Sequence, residues 1–360
     1  MVIAIDIRSE TGEYGGIPSY TKNIVSHLLA LRCRHTFVLF SNSFKMRTID
    51  EISYQQGVKT VNYRIPNKLF SFCLSFFQRP YLDILVQKKI GKKVDLWFSP
   101  NLNFIALSPQ CALVITAHDL SYEFFPQFFS VKMRFWHRIV GPRRIFRRAN
   151  HVIAVSHHTK NDLVSTYGLA SDKVSVVYHG VATNNKKPIL SNRYILMVGA
   201  GSKRKNLHTL IEAFHQMKRE CPDLADVKLI VTGLHDKIVN DIIYMGYISK
   251  MLYLDLIGRA QLLVYPSFYE GFGLPLLEAF AASTAVIASA HSSLAEIGND
   301  AFFPIDPYNT ESLTHALKEV LRDKSLRDYL TDQGLKRAHE FSWDLAAQQT
   351  LKAFEQCVPI

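Results

Sequence analysis

Apolar residues come in short runs rich in β-branched and aromatic side chains. They fall at Val2–Ile7, Thr36–Ser41, Val94–Phe98, Leu113–Ala117, His151–Ser156, Val174–Tyr178, Tyr194–Val198, Val227–Thr232, Gln261–Tyr265 and Ala285–Ala288. Runs of this kind predict buried strands. Helical patterns separate many of them, as at Ser19–Leu31, Lys160–Tyr167, Asn206–Met217 and Thr310–Arg322. Strands alternating with helices predict parallel sheets covered on both faces. The series breaks near Ala182–Ser191, where Asn, Lys and Pro crowd together, and a new strand opens at Tyr194. This predicts two α/β domains, 1–185 and 186–340, with a hinge between them. A C-terminal helix within 341–360 is expected to pack back on the first domain. Clefts that hold ligands favour such boundaries.

Composition removes several alternatives. The chain has 360 residues, enough for two ordinary domains, with 48% hydrophobic and 20% charged residues. Wholesale disorder is excluded by that apolar content. No run of about 18 apolar residues without charge occurs, so a membrane-spanning reading is disfavoured. Asp6 interrupts the first apolar run, unlike a signal peptide. Cys33, Cys73, Cys111, Cys221 and Cys357 show no metal-ligand spacing and suit a reducing cytoplasm.

The segment richest in chemistry runs from Val264 to Ala279, a buried strand passing into Glu270-Gly-Phe-Gly-Leu274-Pro275 and then a helix holding Glu278. Pro275 suits a first helical position. Backbone N–H groups from Gly271 to Leu274 then form a cradle for an anion or polar ligand. A carboxylate only accepts hydrogen bonds, so Glu270 and Glu278 suit sugar and ribose hydroxyls. Eight helical residues would separate them by roughly 12 Å, too far for a hydrolase pair at about 5–9.5 Å. Two contact points on one elongated ligand fit better. The bland alternative, a helix cap and a solvated helix residue, fits the spacing equally well.

The ordered series of motifs resembles the family-4 glycosyltransferases of the GT-B fold, in which two Rossmann-like domains face across a cleft. The family hallmark, two glutamates with seven residues between them, matches Glu270 to Glu278. Gly15-Gly16 through Tyr20 resembles the glycine-rich loop after the first strand. Ala117-His118-Asp119 through Tyr122 and Pro126 resembles the loop carrying the family's histidine. Val152–Ser156, Arg204-Lys205-Asn206, Gly246-Tyr247 and Ser292–Glu296 follow in family order. The pattern is most similar to bacterial O-antigen and capsule mannosyltransferases.

That resemblance implies roles. Glu270 holds donor-sugar hydroxyls with the backbone of Gly271, Phe272, Gly273 and Leu274. Glu278 holds the ribose. Arg204 and Lys205 neutralise the departing diphosphate. Tyr247 borders the base, and His118 lies against the sugar. Gly16 approaches the donor, while Gly15, Tyr20, Asp119 and Tyr122 lie on the acceptor side. Against these stand ordinary structural readings: a basic turn for Arg204 and Lys205, a carbonyl-satisfied ring for His118, a plain β–α turn for Gly15 and Gly16. Two departures occur: Ala200 stands where many relatives carry an arginine, and Phe280–Ala285 lacks the family's Gly and Pro. Arg204 is therefore assigned the missing arginine's task.

Other chemistries find little support. Gly199-Ala-Gly201 lacks the third glycine of a dinucleotide fingerprint. No Asp-x-Asp and no Walker loop occur, so no metal or other cofactor is expected. The co-substrate implied is a nucleotide-diphosphate sugar, GDP-mannose favoured, with UDP-glucose and UDP-N-acetylglucosamine open. Retaining transfer to a lipid-linked or surface-polysaccharide glycan is the implied reaction. A nucleotide-sugar epimerase and a non-catalytic nucleotide-sugar-binding protein are the alternatives.

Charge adds one further expectation. The net +11 resides wholly in residues 1–185, which carry 23 basic and 11 acidic side chains, against 19 and 20 in residues 186–360. Residues 68–93 and 132–148 interleave aromatic and basic side chains, which suits an anionic membrane surface. A solvated face over an aromatic core is the competing reading. The split favours a lipid-diphosphate acceptor over nucleic acid, and a peripheral position on the inner face of the cytoplasmic membrane.

Overall fold

The structure is a computed structural model that describes residues 1–8, 15–43, 58–182 and 193–358. The chain divides into two compact units, one of Met1–His179 with Trp343–Ile360 and one of Gly180–Ser342. The division falls after His179 rather than at 185/186. The Asn/Lys/Pro-rich stretch lies, from residue 183 on, outside the described residues. The helix Trp343–Cys357 is part of the first unit.

Among the described residues the first unit holds seven strands, β1 (Val2–Asp6), β2 (Thr36–Asn42), β3 (Lys59–Tyr63), β4 (Leu96–Ser99), β5 (Ala112–Ala117), β6 (His151–Ala154) and β7 (Val174–Val176). They pair in the order 3-2-1-4-5-6-7, all parallel. Ile3 lies opposite Phe37 on one side and Leu96 on the other. Successive side chains leave a strand on opposite faces. Hence Trp97 packs on Phe40, ring centroids 5.1 Å apart, while Phe98 meets Phe354 of the C-terminal helix at 4.9 Å. Both faces are therefore covered, as buried parallel sheets require.

The second unit repeats the plan. Its strands are β8 (Tyr194–Met197), β9 (Lys228–Val231), β10 (Lys237–Val239), β11 (Ile242–Tyr244), β12 (Leu262–Tyr265), β13 (Val286–Ser289) and β14 (Phe303–Ile305). The order is 10-11-9-8-12-13-14, parallel except for the β10–β11 hairpin. Its helices read directly from sequence. In Thr310–Arg322, Leu313, Ala316, Leu317, Val320 and Leu321 form one buried stripe. Asn309 caps that helix by accepting from the Ser312 N–H at 3.1 Å.

In each unit the strand order reverses once, between β1 and β4 and between β8 and β12. Ligands of doubly wound sheets bind outside the carboxyl ends of the strands flanking such a reversal. The residues just beyond β8 and β12 are therefore where chemistry is expected in the second unit.

Candidate active site

The loops after β8 and β12 meet through charge. Arg204 reaches the Glu270 Oε2 at 2.7 Å and Lys205 reaches its Oε1 at 2.7 Å. The Phe268 N–H donates to the Arg204 carbonyl at 3.0 Å, joining the two loops by backbone as well. Arg204 also donates to the Tyr269 carbonyl. Lys205 donates to the Tyr265 hydroxyl at 2.5 Å, its ammonium 4.4 Å from that ring's centroid. Glu270 is held from behind, its N–H donating to Ser292 Oγ and its carbonyl accepting from Ser293 Oγ.

Glu270 is only 5% exposed. Burial pushes its carboxyl up, but Arg204 and Lys205 outweigh burial and hold it at about 2. Burial and the neighbouring Glu270 charge push the Tyr265 hydroxyl well above its ordinary value. Two cations and one carboxylate leave the cluster with a net positive charge at the sheet's reversal point.

Glycines shape the cradle beside it. Gly273 has φ 100°, and a Cβ there would lie 2.5 Å from Leu294 Cδ2. A Cβ on Gly201 would meet the Gly233 carbonyl at 2.7 Å, so the loop after β8 closes only without a side chain. The helix that follows is Leu274–Ala281, with Pro275 at its second position rather than its first. Glu270 thus precedes the helix, and the eight-residue helical spacing does not apply. Phe272 is 4% exposed and packs on Phe341, so only its backbone can face a ligand. Tyr247 is 73% exposed, with its hydroxyl beside Gly201.

Glu278 is engaged by two residues that sequence reasoning missed. Lys250 pairs with its Oε1, and the Tyr253 hydroxyl donates to its Oε2. Both partners sit on the helix Lys250–Arg259, three residues apart and so on one face. That spacing was the only signal available. Each carboxylate oxygen has a second acceptor position left for a ligand hydroxyl.

In the first unit His118 follows β5. Its Nε2–H donates to the Pro100 carbonyl at 2.8 Å, which leaves Nδ1 as the ring's acceptor. Burial lowers its pKa despite that bond and the nearby Asp119. The carbonyl-satisfied ring is thus real for one nitrogen. Tyr20 is buried, bonded to Thr116 Oγ1 at 3.0 Å and packed edge-on to His118 at 4.8 Å. It supports the histidine and presents no face to an acceptor. Asp119 accepts from the Ser121 N–H and hydroxyl, where the short helix Ser121–Phe124 begins, so its carboxylate is engaged within its own loop. Tyr122 stacks on His137 at 4.4 Å. Gly15, with φ 127°, precedes the helix Gly16–Ala30, and both glycines are exposed. Asp6 and Arg8, paired at 2.6 Å at the end of β1, were not anticipated.

Comparison with known proteins decides the family. A model of "Glycosyltransferase Family 4" matches residues 14–185, and one of "Glycosyl transferases group 1" matches 182–337. The chain belongs to the family-4 glycosyltransferases. This glycosyltransferase is 24% identical to the O-antigen chain mannosyltransferase B of Escherichia coli, over 94% of this chain and 96% of that protein. It is 29% identical to the O-antigen chain mannosyltransferase RfbU of Salmonella typhimurium, over 57% of this chain and 60% of that one. Its fold is that of Anabaena HepE, solved with UDP-glucose, at a TM-score of 0.71 and 18% identity over 99% of this chain and 100% of that one. The enzyme therefore has the GT-B architecture. Among the described residues no single helix is long and apolar enough to cross a membrane.

Proposed function

We propose that this glycosyltransferase moves a hexose, mannose from GDP-mannose, to a hydroxyl of a lipid-linked or surface-polysaccharide glycan, with retention at the anomeric carbon. The observation that carries the reading is the Arg204–Glu270–Lys205 cluster beyond β8 and β12. A departing diphosphate gains negative charge as the glycosidic C–O bond breaks. Fixed cations there stabilise the transition state more than the ground state. Glu270 keeps both cations ionised and aimed, and its remaining lone pairs accept from sugar hydroxyls. Glu278, fixed by Lys250 and Tyr253, accepts from the ribose hydroxyls. Neutral His118 offers Nδ1 to a sugar hydroxyl. No side chain acts as nucleophile in this reading. The acceptor oxygen attacks from the face the diphosphate leaves, and the leaving phosphate oxygen takes the acceptor proton.

Mannose and GDP are favoured because relatives similar along the chain are named mannosyltransferases. The acceptor class follows from the same names and from the basic first unit. In that unit Leu69, Phe72, Phe76 and Phe77 are exposed, whereas Phe70 and Leu74 are core. The exposed set, beside Lys68 and Arg79, supports peripheral contact with an anionic membrane on its cytoplasmic face. A panel of GDP-mannose, UDP-glucose and UDP-N-acetylglucosamine, read by mass on lipid-linked acceptors, tests the reading. A mannose increment from GDP-mannose alone is expected. Turnover only with a UDP-sugar overturns the donor, and an inverted anomer overturns the stereochemistry.

A further inference from the structure

The first unit contains an open pocket of about 860 Å³, bordered by exposed arginines and by Tyr122 and entered by none of the residues assigned above to the donor. Arg134, Arg138, Arg143, Arg144 and Arg147 line it, with Glu123 as its only carboxylate. Four of these arginines come in pairs on two consecutive helices, Val131–Val140 and Pro142–Arg148. Gly141, at φ 65°, makes the turn that brings the two helices to one cavity.

The charge there is uncompensated in a way the second unit's is not. In the second unit Arg193 pairs with Asp226, Lys218 with Asp241 and Arg322 with Asp223. Among the described residues no carboxylate lies within ion-pairing distance of the five cavity arginines. Glu123 is itself occupied, accepting from the Tyr167 hydroxyl at 2.7 Å. Only Arg147 has a structural partner, the Tyr167 carbonyl at 2.9 Å. Five guanidinium groups against one carboxylate repel one another, a cost that a bound polyanion relieves.

The residue type narrows the ligand. All five basic groups are arginines, whose planar forks match phosphate oxygens two at a time. A single phosphate engages two or three such forks, so five match two linked phosphates. The volume is that of a small-molecule site rather than a single-ion nest. We propose that this cavity binds a diphosphate group, the headgroup by which the acceptor is carried. The inference rests on the proposed lipid-linked acceptor and gives that acceptor its recognition element.

Inorganic pyrophosphate is the probe, titrated calorimetrically into the full chain with GDP and UDP both saturating, so that Arg204 and Lys205 do not compete. The comparison is Arg134→Gln/Arg138→Gln/Arg143→Gln, which spares Arg147 and its structural bond. Pyrophosphate binding is expected to weaken about tenfold or more, as loss of charge-assisted bonds implies. Vesicles carrying a polyprenyl diphosphate are expected to bind the wild type more tightly than phosphatidylglycerol vesicles of equal charge. The variant should lose that preference. Equal pyrophosphate affinity in both proteins overturns the proposal. Equal binding to the two vesicle types also overturns it, in favour of a general anionic surface. Should the triple variant fail to fold, Arg138→Gln alone is read against the same limits, with a several-fold loss expected and no loss refuting. Failure of GDP and UDP to bind either protein strikes the donor reading while leaving the arginine comparison intact.

Discussion

Replacing Glu270 with glutamine keeps the side chain's size and removes the charge that two buried cations share. The magnitude follows from the wild-type carboxyl. Despite burial, Arg204 and Lys205 take it from an ordinary 4.5 to about 2. A depression of that size corresponds to about 3 kcal/mol of stability at neutral pH. Removing one partner of a buried ion pair costs about 3–5 kcal/mol by mutation, in agreement. In a unit of this size each kcal/mol moves the midpoint by about 2–4 °C. Glu270→Gln should therefore lower the second unit's melting temperature by about 6–12 °C at pH 7. The sign of the pH dependence is fixed, because the folded-state value is the depressed one. The stabilisation is complete above about pH 4.5 and disappears as pH falls through about 2, with about 2 kcal/mol left at pH 3.5. Calorimetry is the assay, since Trp97, Trp136 and Trp343 all belong to the first unit and tryptophan emission cannot follow the second. A nucleoside diphosphate supplies the missing negative charge, so it should raise the variant's midpoint more than the wild type's. A variant melting within about 2 °C of wild type at pH 7 would refute the ion-pair argument. So would a gap between the two proteins that is as wide at pH 3.5 as at pH 7.

Further tests address the surrounding parts. Gly273→Ala forces a Cβ against Leu294 at φ 100° and should cost about 1–3 kcal/mol with a raised donor KM; an unchanged KM would detach this turn from donor binding. Tyr253→Phe removes one of Glu278's two partners and should weaken nucleotide binding several-fold with little change in melting; equal affinity would separate Glu278 from the ribose. Burial lowers the His118 pKa, so the imidazole is still mostly neutral at pH 6.5, and any loss of transfer through its charging should set in below that pH. A rate that halves near pH 6.5 and recovers its plateau in His118→Asn would show that the ring does charge there.

The sheets were legible because their strands are buried on both faces and read as apolar runs. Of the strands missed, Ile242–Tyr244 is interior and mostly buried but only three residues long, and the others lack that property. Lys59–Tyr63 is a half-exposed edge, Lys237–Val239 is exposed throughout, and Phe303–Ile305 carries a proline that only an edge tolerates. At the site, the residue types near each glycine turn were readable, but their partnerships were not. Arg204 and Lys205 had been assigned to phosphate and Glu270 to sugar, as separate contacts. Their union depends on β8 and β12 lying side by side, a pairing across more than sixty residues that no local pattern encodes. Tyr20, expected on the acceptor side, instead fills the core behind its glycine turn, a packing that no local pattern encodes.

The helix Trp343–Cys357 closes the first unit from a distant part of the sequence. Trp343 stacks on His179 at 5.7 Å, His179 packs on Tyr20 at 4.6 Å, and Tyr20 buttresses His118. The first unit is thus completed only by residues that lie beyond the whole of the second in sequence. Removal of the last two turns of this helix takes away Phe354, and with it the packing on Phe98. The aromatic wall behind the active-site histidine therefore depends on a segment that follows the entire second unit in sequence.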